Sequence, residues 1–305
     1  MTQHIEMQFH RPVGDLVKDD RVHTSLYTDP VVFDAEMDKI FSSTWVWVAH
    51  VSEMPDVGSY KNTFVGRQPV IVVRDRKQKI HVLLNRCRHR GATVCEGKKG
   101  KANSFVCPYH GWSYSHDGAL RGVPHPESYA DMLDKPDLGL VSLRVEEYAG
   151  MVFATFRQDI EPLVDYLGPA KKWMDLFMKQ GAGYPIKVQA EHRFRFPGNW
   201  KIQLENTTDA YHFPLVHKSF LSSVDQQTVD MLDFVGGPGY VEDLGNGHSV
   251  MVMIPQLVDL DEHPAAGEIG CHGRPPCPCR ASSGKSIVQR TPSPFSSKLV
   301  LAPSA

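Results

Sequence analysis

Two short stretches decide how this chain reads: Cys87-Arg88-His89-Arg90-Gly91 and, after seventeen further residues beyond His89, Cys107-Pro108-Tyr109-His110-Gly111-Trp112. Together they spell C-x-H, a gap, then C-x2-H. Two thiolates on one iron and two imidazoles on the other are the ligands of a Rieske [2Fe-2S] cluster, and the imidazoles raise its potential above that of an all-cysteine centre. With 6 Cys and 15 His in 305 residues, this spacing arises by chance in roughly one sequence in a few thousand. The second box also reads as a tight turn. Its backbone N–H groups can face sulfur, and Gly111 permits close approach. Tetrahedral zinc is the competing reading of a Cys2His2 set, although zinc fingers favour C-x2-4-C and H-x3-5-H pairs over mixed Cys/His boxes.

The two boxes resemble those of the aromatic ring-hydroxylating oxygenases, in their large (alpha) subunit. Rieske proteins of respiratory complexes add a disulfide clamp, with one Cys five residues after the first ligand and another directly before the last His. This chain has Ala92 and Tyr109 there. The missing clamp fits the lower-potential oxygenase branch and a reducing compartment.

Moving outward, Val70 to Val73 and Ile80 to Leu84 are β-rich runs joined by six polar residues, a hairpin that delivers Cys87 and His89 at its exit. Trp112 to Tyr114 and Ala119 to Val123 flank Asp117-Gly118, a strong turn signal. Upstream, Phe33, Met37, Ile40 and Phe41 recur at helical spacing and predict a short amphipathic helix. From Ile160 the composition changes to prolines and a helical stretch through Trp173, Leu176 and Phe177, which sets a boundary near 155–160.

A second constellation lies downstream: Asn199-Trp200-Lys201, then Glu205-Asn206-x-x-Asp209-Ala210-Tyr211-His212, then His217. Two histidines and a carboxylate with open positions form the facial triad of non-haem Fe(II) oxygenases. D-x2-H-x4-H is weak alone, since it occurs by chance in roughly a few per cent of such chains. Two core or surface histidines remain the bland alternative. After the Rieske boxes, the run from Asn199 to His217 resembles the mononuclear-iron motif of the same family, with His212 and His217 as ligands. Asp209 and His212, three apart, would share a helical face, Pro214 would end that helix, and His217 would swing back to the same centre. Asp209 would then orient His212. The resemblance implies that it also links the iron-ligating His212 of one subunit to the Rieske His110 of the next in a ring-shaped trimer. Asn206 is a candidate beside the iron or equally a polar helix-start residue, and Tyr211 reads as packing.

The whole chain is near neutral, 33 Lys+Arg against 35 Asp+Glu, which gives no nucleic-acid signature. Neither a secretory leader nor a membrane-length apolar run is visible, so a cytoplasmic enzyme is expected. Cys95 sits between the boxes without a partner at ligand spacing, and Cys271, Cys277 and Cys279 crowd the tail; this is no disulfide framework. From about His263 Pro, Gly and Ser dominate, Glu268 is the only acid and Phe295 the only aromatic, a composition that cannot bury enough apolar surface to order itself. The resemblance holds from roughly residue 30 to 260 and implies a third ligand, an Asp, roughly 150 residues beyond the second His. A frameshift followed by early termination is the simplest reading of that difference; Asp230, Asp233 or Glu242 are the carboxylates that could substitute.

The expected fold is α+β: an N-terminal helical segment over 1–42, an all-β Rieske domain over 43–157, an incomplete α+β helix-grip catalytic domain over 158–262, and a divergent, unordered tail over 263–305. The resemblance implies a terminal oxygenase that adds O2 to an aromatic ring, with a cluster and a mononuclear Fe(II). Electrons would come from NAD(P)H only indirectly, through a reductase and sometimes a ferredoxin, since no G-x-G-x-x-G follows a strand. A homotrimer, with or without a small beta subunit, and an aromatic small-molecule substrate complete it, with no nucleic acid and no membrane. The E-N-x-x-D form leans toward aromatic carboxylates such as benzoate, salicylate or anthranilate. The alternative is an electron-transfer module whose second iron site is not functional.

Overall fold

The computed structural model describes residues 12–132, 135–232, 240–252 and 297–300. A short ribbon, β1 (Val17–Lys18) with β2 (Arg21–Val22), leads into α1 (Ser25–Thr28) and α2 (Pro30–Glu36). Asp29 caps α2 by accepting the Val31 N–H at 2.8 Å, and Pro30, lacking an N–H, is suited to the first turn. The helix continues as a wider turn over Met37–Phe41, which buries Met37 and Phe41 as the apolar spacing predicts.

The boxes are carried by three antiparallel sheets built from β3 (Val46–His50), β4 (Ser59–Val65), β5 (Gln68–Arg74), β6 (Ile80–Leu84), β7 (Lys99–Lys101), β8 (Phe105–Val106), β9 (Ser113–Tyr114), β10 (Leu120–Gly122), β11 (Arg144–Tyr148) and β12 (Met151–Thr155). Strand orders are β6-β5-β4-β7, β10-β9-β8 and β11-β12-β3. β5 explains the continuous run Val70-Ile71-Val72-Val73: side chains alternate across a strand, and both faces of this one are covered. Val70 and Val72 join Phe41, Val46, Val48 and Val152 on one side, while Ile71 and Val73 join Leu83, Phe105, Trp112 and Tyr114 on the other.

The expected boundary near 155–160 falls between β12 and α3 (Leu163–Leu167), yet packing crosses it. Trp45, Met151 and Phe153 share a core with Leu163, Leu167 and Met174, the last from α4 (Ala170–Lys179). Beyond α4 the chain runs without regular structure through 185–197, with Phe194 90% exposed. Helices α5 (Trp200–Thr208), α6 (Phe213–Val216), α7 (Lys218–Leu221) and α8 (Gln226–Met231) follow. A sheet of β13 (Tyr240–Gly245), β14 (His248–Val252) and β15 (Ser297–Val300) closes the described structure, packed through Leu244, Val250 and Val252 on Ala170 and Trp173. β15 lies inside the segment read as an unordered tail and pairs antiparallel with β14. Cys271, Cys277, Cys279, Glu268 and Phe295 lie outside the described residues. No helix among the described residues is long and apolar enough to cross a membrane.

Candidate redox site and iron motif

The first box hangs from the end of β6, the second between β8 and β9, and the two loops are built alike. The Cys87 N–H donates to the Ala92 carbonyl at 2.8 Å and the Gly91 N–H donates back to the Cys87 carbonyl at 2.8 Å. In the second loop Cys107 N–H donates to Trp112 O at 2.8 Å, and Gly111 N–H to Cys107 O at 3.0 Å. Both turns close through a left-handed residue, Gly91 at φ 74° and Gly111 at φ 71°, a conformation that a Cβ would strain. Each loop holds its thiol inward, with Cys87 4% and Cys107 2% exposed.

The imidazoles converge as well. His89 Nδ1 and His110 Nδ1 lie 3.1 Å apart, the separation subtended by two nitrogens each about 2.1 Å from one metal ion. Among the described residues no three His, Cys, Asp or Glu side chains gather round a single metal position. In a two-iron cluster each iron takes only two protein ligands, and the facing pair of imidazole nitrogens is one such pair. The donor set, two buried thiols beside two facing Nδ1 atoms, fits the cluster. Burial first, then the neighbouring His110 and Arg90, lowers the His89 pKa and favours the neutral imidazole that ligation needs.

Two contacts around this site were not foreseen. Trp112 stacks on His89 at 5.0 Å between ring centroids and 8° between planes, covering one face of that imidazole. The fully buried Tyr114 hydroxyl lies 3.2 Å from Cys87 Sγ and accepts the Arg88 N–H at 3.1 Å, which leaves its own hydrogen for the sulfur. Burial and then the Cys87 thiol raise the Tyr114 pKa, so it stays a donor. The signal was present in Trp112-Ser113-Tyr114: in a strand, alternation puts Trp112 and Tyr114 on the same face.

The downstream motif is arranged differently from the expected single helix. α5 ends at Thr208, and Asp209 takes an extended conformation at its C-cap. His212 precedes the separate α6, so Pro214 does not end a helix; it occupies the first turn of the next, where its missing N–H does no harm. The pairing survives through a turn. Asp209 Oδ1 accepts the Tyr211 N–H at 2.7 Å and Oδ2 meets His212 Nδ1 at 3.1 Å. Those contacts, the Tyr211 N–H foremost, lower the Asp209 pKa. With Nδ1 so engaged, His212 keeps Nε2 for a metal. His217 lies near, its ring centroid 5.5 Å from that of His212. Asn206 is exposed on the last turn of α5, with no hydrogen bond to either imidazole among the described residues, and Tyr211 is 78% exposed, not packed. Of the carboxylates that could complete the set, Asp230 accepts Gln226 Nε2 at 2.8 Å, Glu242 is exposed on β13, and Asp233 lies outside the described residues. The two imidazoles of the motif therefore come together here, with Asp209 behind one of them.

Residues 44–147 match the Rieske [2Fe-2S] domain family, and residues 185–268 match the ring hydroxylating alpha subunit (catalytic domain) family. The chain belongs to the ring-hydroxylating oxygenase alpha subunits. The anthranilate 1,2-dioxygenase large subunit of Acinetobacter baylyi is 36% identical over 249 residues, covering 76% of this chain and 53% of that protein. The toluate 1,2-dioxygenase subunit alpha of Pseudomonas putida is 33% identical over 238 residues, covering 74% and 52%. Among solved structures, naphthalene 1,2-dioxygenase from Rhodococcus sp. bound to indole superposes with a TM-score of 0.71 at 33% identity, over 80% of this chain and 56% of that one. The alpha-subunit chain thus spans about half the length of the curated relatives it matches. Membership implies a Rieske cluster and a mononuclear iron, and the fold is the one expected, an all-β Rieske domain followed by part of an α+β catalytic domain.

Proposed function

We propose that this chain acts as the terminal oxygenase component of a Rieske non-haem iron system that adds O2 to an aromatic ring. The observation that carries the reading is the pairing in one chain of two matched Cys/His loops with a downstream His212–Asp209 hydrogen bond and a neighbouring His217. Cys87, His89, Cys107 and His110 hold the cluster, and His212 and His217 hold Fe(II). The iron, when bound, supplies O2 activation. The chain's own residues do the rest: Asp209 fixes the His212 ring with Nε2 outward, the two glycine turns bury the thiols, and Trp112 shields His89 from water. Reducing equivalents come from NAD(P)H through a separate reductase, with or without a ferredoxin, and the assembly is a homotrimer in which Asp209 of one subunit faces His110 of the next.

The substrate class we infer is an aromatic carboxylate. Support comes from the Glu205-Asn206-x-x-Asp209 spacing and from relatives named for anthranilate and toluate. A second reading, a Rieske electron-transfer module, is favoured by one observation: no third ligand joins His212 and His217 among the described residues. Iron and sulfide per chain decide between them. Three irons with two sulfides, plus product from benzoate or anthranilate with a reductase, support the oxygenase; two irons and no product support the module.

A further inference from the structure

We propose that Glu36 and Tyr27, in the N-terminal helical segment, are positioning residues for the iron motif, gripping α5 so that Asp209 and His212 are held in place. This inference rests on the reading of His212 and His217 as iron ligands.

α5 cannot hold itself. It has nine residues, Lys201 is its one buried residue, and Ile202 is 46% exposed. A helix that short is marginal without tertiary contacts. α5 also lies against β14 and β15, but the side-chain hydrogen bonds that tie it to other elements come from residues more than 160 positions earlier. Trp200 Nε1 donates to Glu36 Oε2 at 2.9 Å, and Lys201 Nζ donates to Glu36 Oε1. Tyr27 OH donates to Glu205 Oε1 at 2.7 Å and lies 2.9 Å from Oε2, while Asn199 Nδ2 donates to the Tyr27 carbonyl at 3.1 Å. The Lys201 and Glu36 side chains are 11% and 10% exposed, and the ammonium sits 5.3 Å from the Trp200 ring and 5.8 Å from the Tyr27 ring. Trp200 in turn packs edge-on against Phe41 at 5.2 Å.

Such a pair specifies position more than it stabilises. Desolvating two charges offsets most of their attraction, but removing one partner leaves the other buried and unpaired. Any shift of α5 along or about its axis therefore separates charges with no water to replace them. The grip extends directly to the motif. The backbone carbonyl of Glu205, the residue whose carboxylate Tyr27 holds, accepts the Asp209 N–H at 2.9 Å, and Asp209 holds His212. The sequence run Tyr27, Glu205, Asp209, His212 is thus one continuous set of hydrogen bonds from the N-terminal segment to a ligand imidazole.

The test uses the full chain with its cluster, comparing E36A with the double variant E36Q/K201Q, which removes both charges but retains an acceptor for Trp200 Nε1 and a hydrogen bond between the two side chains. Co(II) alone is titrated, with H212A identifying the binding that belongs to the motif, and backbone amide exchange is followed by mass spectrometry. E36A is expected to weaken H212-dependent Co(II) binding about tenfold or more and to speed exchange across residues 200–212 by a similar factor. Exchange over 87–114 and the visible spectrum should stay unchanged, and E36Q/K201Q should recover both losses. Unchanged exchange over 200–212 in E36A, unchanged H212-dependent Co(II) affinity, failure of the double variant to recover, or a parallel loss of the cluster spectrum would each overturn the proposal. If wild type and H212A bind Co(II) alike, the iron-ligand reading fails, and the exchange comparison alone decides whether Glu36 holds α5.

Discussion

Replacing Tyr114 by Phe isolates one hydrogen bond to the candidate cluster. The phenol is fully buried, 3.2 Å from Cys87 Sγ, and its oxygen already accepts Arg88 N–H, so its hydrogen is directed at sulfur. A hydrogen bond to a charged group contributes about 1.5–3 kcal/mol. Only the difference between reduced and oxidised states moves the potential. The reduced centre carries one more negative charge and takes the stronger bond, so a third to a half of the whole, about 1 kcal/mol, is a fair share. For a one-electron couple about 59 mV corresponds to 1.4 kcal/mol, which places the midpoint of Tyr114→Phe about 40 mV below wild type. The part-buried Arg88 N–H also loses its acceptor, a cost of about 1 kcal/mol that lowers Tm by roughly 2–4 °C. A redox titration followed by visible circular dichroism measures the first, a thermal melt the second. A midpoint within about 10 mV of wild type, with the cluster spectrum intact, would refute the argument that this hydroxyl donates to sulfur.

His110→Cys should retain iron while losing the Rieske electron-resonance signature, because an imidazole is exchanged for a thiolate on one iron; an unchanged spectrum sinks the ligand assignment. Asp209→Asn should leave the cluster in place yet halt its reoxidation by O2 and substrate, and rapid reoxidation would remove Asp209 from the route. Gly91→Ala and Gly111→Ala both force a side chain into a left-handed turn, at about 1–2 kcal/mol each. An added Cβ meets nothing within 4 Å at Gly91 but lies 3.1 Å from Pro124 Cγ at Gly111, so iron per purified chain should fall further for Gly111→Ala. Burial lowers the His248 pKa. The folded state thus resists a proton that the unfolded chain takes up near pH 6.5. The stability of the β13–β14 hairpin should be full above that pH and decline as pH falls toward the folded value, and His248→Phe should flatten the dependence seen in amide exchange over 240–252.

The Rieske half was legible because its chemistry is local. Cys87 with His89, and Cys107 with His110, sit within three residues of each other, the Arg74 to Lys79 run marks a turn, and the Val70 to Val73 run marks a strand covered on both faces. The iron motif was legible as a set of residues but not as a shape. Asp209 and His212 at three-residue spacing suit a helical face, but the Asp209 carboxylate binds the Tyr211 N–H, a local alternative to the helix that short acidic side chains favour. Periodicity cannot show that choice. Nor could it show Tyr27 and Glu36 meeting Glu205 and Lys201, since nothing in either local sequence points across 165 to 178 positions.

β5 has a consequence that reaches both candidate centres. Its Ile71 and Val73 side lies in the core that contains Cys87 and Cys107, and its Val70 and Val72 side lies in the core against which Trp200 packs. One thickness of sheet therefore separates the bed of the redox loops from the bed of the iron-motif helix. Interiors are close-packed and transmit displacement instead of absorbing it. A methylene added or removed anywhere along those four residues presses on one bed or relaxes the other, so the redox loops and the iron-motif helix share a mechanical foundation.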